Sequence, residues 1–334
     1  MPNGAAASVL FLQLGLTVLA GFLARYALNA AGTLHRRNAG WSERLRRALN
    51  KLVLWVTMPA LVFQTVHAAP LGPDLIQAPA AAIAGMAGTA LVAWVLLARM
   101  YGKTPATGGL VLAASAGSVS FFGIPLVRSL FGPDETRIAV YFAVLNVPLA
   151  LVSGAIISAR IARVAGGVAA GPRRSLWGLA AFAGRQFLTM PVTWALIAGL
   201  ALQDWPIPAL GATALKLLSA SVAPTTMFAL GLGLHFERSL TPYRMALPAV
   251  AIKLAVSPVV VFVCAWAIGL SGLPLAIVSL QGAMPTQVLS MVVAERYRLD
   301  SRLVGLTLAM DTALAFVILP WVMSAIHAGA TSLA

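Results

Sequence analysis

The chain has 334 residues, 60% of them hydrophobic and 10% charged, with a formal net charge of +14. A soluble domain carries about 25% charged residues, whereas here apolar runs of about 20 residues recur along the whole length, which is the pattern of an integral membrane protein. The positive charge does not indicate a nucleic-acid partner, because the cations fall in short loops between apolar runs and no basic domain stands outside them.

Ten apolar segments are predicted, at about 8–32, 47–67, 75–99, 108–130, 136–160, 185–203, 208–235, 244–269, 273–295 and 302–327. All are expected to be α-helical, since a helix satisfies its own backbone in lipid and the alternating pattern of a barrel is absent. The first run, from Ser8 to Ala31, is too long for the apolar region of a signal peptide, and the preceding "MPNGAAA" has no positive charge, so it is expected to be the first transmembrane helix. Basic residues occupy every second connection. The connection between the first two segments holds Arg36, Arg37, Arg44, Arg46, Arg47 and Lys51, and the next on that side holds Arg99 and Lys103. Arg160, Arg163, Arg173, Arg174 and Arg185 follow, then Arg238 and Arg244, then Arg296, Arg298 and Arg302. The other side has Arg128 and Arg137 beside Asp134 and Glu135. The basic side is expected to be cytoplasmic, with both termini outside.

The longest connection, about Ala162 to Gly184, divides the chain into residues 1–165 and 166–334, each with five segments. An odd number per half requires the halves to insert in opposite senses, and corresponding segments agree. The second of each half has Pro followed by Phe, "TMPALVF" at Pro59 and "APTTMFALG" at Pro224. The fourth has a central breaker, "FFGIPL" at Pro125 and "GAMPTQV" at Pro285. Paired, interrupted helices in inverted repeats are expected to cross at their unwound points, where half-helix N-termini aim N–H groups and a positive dipole end at a common centre. Such a centre suits an anion. The bland reading is a pair of ordinary proline kinks, which matching positions in both halves make less attractive.

These motifs resemble the auxin efflux carrier family of transporters, whose bacterial members are associated with organic acids of the malate and malonate type. The resemblance rests on "FFGIPLVRSLFG" and "AMPTQVLSMVVAERYRLD", supported by "MFALGLGL", "AIKLAVSPVV" and "LNKLVLWVTMPALVF", in this order over nearly the whole chain. It implies an all-α protein of ten helices in two inverted five-helix repeats with helices four and nine broken and crossed. Helices one, two, six and seven would be a scaffold, and three to five and eight to ten a moving transport domain. It further implies a homodimeric carrier in the bacterial inner membrane, holding a small organic anion at Ser118, Gly123, Ile124, Pro125, Met284, Pro285, Thr286 and Gln287. Two positions depart from the family pattern. Ser118 stands where an Asn is common and offers one donor where an amide offers two, and Met190-Pro191 replaces a common Asn-Pro.

Asp311 lies deep in the last segment, a costly position for a carboxylate unless it is protonated or paired. Lys253 at similar depth and Arg25 somewhat shallower are its candidate partners. Together the three form a candidate ion or proton coupling set, with a static structural pair and, for Arg25, snorkelling to the interface as the alternatives. Protons and, through carbonyls freed at the breaks, sodium are the candidate coupling ions. Asn146, Gln64, Gln281 and Gln287 are neutral polar groups inside the segments. Gln281 and Gln287 flank Pro285 and are divided between lining the site and joining helices, whereas Asn146 and Gln64 are expected to be structural. Gly231 and Gly233 are expected to serve close helix packing. Cys264 is the single cysteine, and the four histidines, His235 among them, have no ligand spacing, so no metal site and no cofactor are expected. No phosphate-binding loop supports ATP drive. Two rivals are a non-transporting receptor or sensor for a small anion and a membrane hydrolase. The hydrolase is disfavoured because Asp311 has no second deep acid beside it.

Overall fold

The computed structural model describes residues 4–34, 41–68, 72–164, 176–203, 205–233 and 240–332. Arg36, Arg37, Arg173, Arg174, Arg238 and His235 lie outside them. Every regular element among the described residues is helical. In chain order the α-helices are α1 (Gly4–Leu34), α2 (Trp41–Leu52), α3 (Met58–His67), α4 (Asp74–Tyr101), α5 (Pro105–Ser115), α6 (Ile124–Phe131), α7 (Thr136–Ala143) and α8 (Asn146–Val164). They continue as α9 (Leu176–Thr189), α10 (Pro191–Ala201), α11 (Ala209–Gly233), α12 (Thr241–Ala251), α13 (Ser257–Ala267), α14 (Gly272–Gly282), α15 (Leu289–Arg296) and α16 (Ser301–Ser332).

Three π-helical turns interrupt this series, at Val53–Thr57, Val119–Gly123 and Ile252–Val256. Each ends two residues before a proline: Pro59, Pro125 and Pro258. The common cause is the missing N–H. Proline cannot donate to the carbonyl four residues back and its ring crowds that carbonyl, so the preceding turn widens. The proline itself sits in the first turn of the next α-helix, where no donor is needed.

Six helical stretches are long and apolar enough to cross a membrane: Trp41–His67, Asp74–Tyr101, Thr136–Ile161, Ala209–Gly233, Thr241–Ala267 and Ser301–Ile318. With the shorter apolar helices between them, they make a multi-pass membrane protein. The predicted segment 108–130 is divided between α5 and α6, and 273–295 between α14 and α15. The segment 185–203 is cut at Met190, whose extended backbone (φ −84°, ψ 130°) follows from the proline after it.

The chain folds as two compact units. The first comprises Met1–Leu71, Ile124–Val140 and Met190–Leu234. In it α1 packs on α11 backbone to backbone: a Cβ added at Gly21 would collide with the Phe228 carbonyl oxygen, and one at Gly231 with the Val18 carbonyl oxygen. Gly233 has a lesser constraint, its Cβ position lying 3.2 Å from Arg46 Cδ. The ends of α3 and α10 are tied by Gln203 Nε2 donating to the Val66 carbonyl (3.0 Å) and by His67 Nε2 with the Trp205 carbonyl (3.0 Å).

The second unit comprises Gly72–Gly123, Tyr141–Thr189 and His235–Ala334. Its core interleaves large aliphatic residues, such as Leu97, Leu110, Leu112 and Val304, with alanines on facing helices, among them Ala93, Ala113, Ala150, Ala246, Ala249 and Ala294, all buried. Where alanines face one another the helices gain van der Waals contact by close approach, an important packing force inside lipid. Gly85 and Gly282 both meet α13, with Cβ positions 2.7 Å from Val261 Cγ2 and 2.9 Å from Pro258 Cα. The starts of α5 and α16 are fixed by capping: Thr104 Oγ1 accepts from Thr107 N, Asp300 Oδ1 accepts from Leu303 N (3.0 Å), and Asp300 N donates to the Pro105 carbonyl (3.1 Å).

Candidate functional site

The site is built where two helices of the second unit stop. After α5 the backbone turns extended at Ala116 (φ −98°, ψ 106°), and after α14 the segment Ala283–Val288 leaves the helical path. The two interruptions pair. Ser118 N donates to the Pro285 carbonyl at 2.6 Å and Gln287 N donates to the Ala116 carbonyl at 3.0 Å, on either side of the antiparallel bridge Gly117–Thr286. Donors and acceptors that each helix gives up are thus returned by the other. That matters at a place where residues 281–287 are all buried. The bridge has a local two-fold: the bond from Ser118 to Pro285 maps onto the bond from Gln287 to Ala116.

Side chains complete the closure. Thr286 N donates to Asp311 Oδ2 at 2.9 Å. Thr286 Oγ1 lies 2.5 Å from the same oxygen and 3.0 Å from the Ala113 carbonyl, so its single proton serves one acceptor at a time. A carboxylate on this N–H, just ahead of α15, also faces the favourable end of the helix dipole. Asn146, the first residue of α8, donates both amide protons, to the Gly117 carbonyl (2.8 Å) and to Gln287 Oε1 (2.8 Å). It joins the first interruption to the second. Ser257 Oγ donates to the Gly282 carbonyl at 2.9 Å.

Other groups are left without a partner. Gln281 is 1% exposed with neither amide atom hydrogen-bonded, and it fills the place a Cβ at Gly123 would take. Gln287 Nε2 and Asp311 Oδ1 are buried without hydrogen bonds. Lys253 is 2% exposed. It makes no hydrogen bond and no ion pair with the described residues, although it and Asp311 feel each other's charge. Its ammonium points at Gly117, where a Cβ would stand 2.9 Å from Nζ. Lys253, Asn146, Gln281, Ser115, Ser257 and Gly117 line a cavity with about 20 Å³ of room, enough for a water-sized occupant.

Of the residues singled out from sequence, Ser118, Gly123, Met284, Pro285, Thr286, Gln287, Lys253 and Asp311 all fall in this unit. Ile124 and Pro125 do not: they open α6, which belongs to the first unit. The unwinding begins at Ala116, where the backbone pairs with Pro285 and Gln287, and not at Gly123 and Pro125, since proline is tolerated in the first turn of the helix that follows. Arg25 also belongs to the first unit, where Tyr26, Glu43 and Arg46 are its electrostatic neighbours. Asn146 was expected to be structural, and it joins the two interruptions through its bonds to Gly117 and Gln287. Its signal in the sequence was its chemistry: an amide with two donors can meet both a freed carbonyl and a second amide. No group of three or more potential metal ligands occurs among the described residues.

Residues 34–323 match the family described as membrane transport protein. The chain is 27% identical over 311 residues to an uncharacterized transporter of Methanothermobacter thermautotrophicus, covering 91% of this chain and 95% of that protein. It is 21% identical over 281 residues to an uncharacterized transporter of Methanocaldococcus jannaschii, covering 83% and 88%. It is 30% identical over 138 residues to auxin efflux carrier component 1 of Arabidopsis thaliana, covering 38% of this chain and 22% of the plant protein.

Proposed function

Because the chain belongs to the membrane transport protein family, that of the auxin efflux carriers, we propose that it is a secondary transporter of a small organic anion, a mono- or dicarboxylate, and not an enzyme. The observation that carries this reading is the paired interruption Ala116–Ser118 against Pro285–Gln287, with both amide atoms of Gln281 and Nε2 of Gln287 buried without partners around it. Unpaired buried polar groups are costly, and a site whose polar groups are satisfied only when cargo is present accounts for keeping them. Irregular backbone at membrane depth is likewise the usual setting of a carrier's binding site.

The finer reading has ten spans in two inverted repeats, cargo at the crossing, and elevator-type movement of one unit. It is supported by the makeup of the two units, one collecting α1–α3, α10 and α11 and the other α4, α5, α8 and α12–α16; α6 and most of α7, which fall in the first unit, and α9, which falls in the second, depart from it. On this reading the protein is a homodimer in a bacterial inner membrane with both termini outside. Asp311, poised on Thr286, exchanges the proton that couples transport, with sodium as the competing ion. The test is uptake of radiolabelled carboxylates into proteoliposomes under imposed proton and sodium gradients. Flux of at least one carboxylate, lost when Thr286 and Gln287 are both replaced by apolar residues, is the expected result. Binding without flux would favour the receptor reading.

A further inference from the structure

We propose that Lys253 takes the carboxylate of the cargo and that, as the one charged group at its cavity among the described residues, it restricts the cargo to a monocarboxylate with an apolar body. The inference rests on reading the crossing of the two interruptions as the cargo site.

Lys253 lies on the π-helical turn Ile252–Val256, where the helix holds an extra residue ahead of Pro258. The turn delivers a long cationic side chain to a position 2% exposed, facing the backbone of Gly117 at the centre of the antiparallel bridge. A buried ammonium without a hydrogen-bonded counter-charge is unfavourable by several kcal/mol. Asp311 is no direct partner, since its Oδ2 is held by Thr286 and no ion pair joins the two. What remains beside Nζ is the cavity, whose other polar groups are amides and hydroxyls. Gln281, with both amide atoms unpartnered, adds a neutral donor next to the cation. One ammonium with an adjacent amide donor is a recognition set for one carboxylate.

Charge balance sets the number of carboxylates. Lys253 and Asp311 are the buried basic and acidic side chains among the described residues, of opposite sign when both are ionised. A monocarboxylate on Nζ leaves one net negative charge. A dicarboxylate would leave two, the second with no cation lining the cavity to meet it. The rest of the wall is apolar, including Met86, Val119, Phe142 and Val261, and suits a hydrocarbon body rather than a second polar end. The room of about 20 Å³ holds no more than a water-sized occupant, so cargo on Nζ requires the cavity to widen from this conformation.

The experiment compares uptake of labelled propionate and labelled malonate into proteoliposomes for the full-length wild type, Lys253→Met, Lys253→Arg, Gly117→Ala and Gln287→Leu, with melting in detergent as the folding control. Lys253→Met leaves Asp311 without its offsetting charge, so the melting control and the charge-keeping Lys253→Arg separate a folding loss from a loss of cargo binding. The expected result is propionate uptake by the wild type, malonate uptake at least about tenfold lower, and loss of about tenfold or more in kcat/KM for propionate in Lys253→Met. Partial recovery is expected in Lys253→Arg, and a raised KM in Gly117→Ala, whose methyl group displaces Nζ. Equal uptake of malonate and propionate, or unchanged propionate kinetics in Lys253→Met, overturns the proposal. If Gln287→Leu abolishes uptake while Lys253→Met does not, the crossing stands as the cargo site and Lys253 falls. If neither variant changes uptake, both readings fall.

Discussion

Thr286 donates its backbone N–H to Asp311 Oδ2 at 2.9 Å and holds its hydroxyl 2.5 Å from the same oxygen. A single carboxylate oxygen from α16 thus fixes the residue at the centre of the second interruption. Two substitutions separate its roles. Asp311→Ala leaves a buried N–H without an acceptor and is expected to cost about 2–3 kcal/mol, read as a fall in melting temperature in detergent. Asp311→Asn keeps an acceptor and is expected to cost about 1 kcal/mol or less. If Asp311 carries the coupling proton, the Asn variant also loses the stimulation of uptake by a proton gradient. Stimulation equal to wild type would assign Asp311 to structure alone.

Gly123 and Gln281 occupy space that excludes a side chain at one or an unshifted side chain at the other. Gly123→Ala is expected to destabilise by about 1–3 kcal/mol and to suppress uptake. Gln281→Ala added to it should recover much of the stability, and a double-mutant cycle gives the coupling between the two. Additive losses would mean that Gln281 moves aside freely.

Asn146 holds the Gly117 carbonyl and Gln287 Oε1 together with two bonds. Asn146→Leu removes both donors and is expected to cost about 1–2 kcal/mol, polar bonds between membrane helices being weaker than their burial suggests. Its larger effect should be on cargo affinity, because Gln287 then loses its fixed orientation. The expected readout is a KM raised by more than the rate falls, by about tenfold on the general scale of a lost positioning contact.

Gly21 and Gly231 bring α1 and α11 into backbone contact in the first unit. Gly231→Leu is expected to separate the two helices and to lower the melting temperature through overpacking of about 1–3 kcal/mol or more. Gly15 on α1, with nothing near its Cβ position, is the control: Gly15→Ala should be neutral or slightly stabilising.

The class of the protein and its second interruption were legible in the sequence, because apolar length and a proline flanked by polar residues are local properties. Pro285 and Thr286 lie in that break. The first interruption was harder to read. Gly123 and Pro125 mark the start of a helix, whereas the unwound residues Ala116 and Gly117 carry no breaker other than one glycine. They are held open by the pairing with Pro285 and Gln287, a tertiary cause that no window of sequence contains. Depth along the chain placed Lys253 near Asp311, but depth says nothing of direction, and Thr286 holds the carboxylate oxygen instead. Pro258 was readable as a local helix disturbance by the same rule as Pro59 and Pro125, and the position of Lys253 depends on it.

The extra residue in each of the three widened turns acts as a phase shift. One residue corresponds to about 100° of rotation around a helix axis. A stripe of buried positions followed along α12 is therefore out of step with the stripe on α13, and no single amphipathic wheel drawn through Thr241–Ala267 describes both. Removing one residue from Ile252–Val256 would restore an even ladder and turn the buried face carrying Ala246, Ala249 and Val250 away from its neighbours. A shortening of the chain by one position there is, mechanically, the twisting of a whole helix.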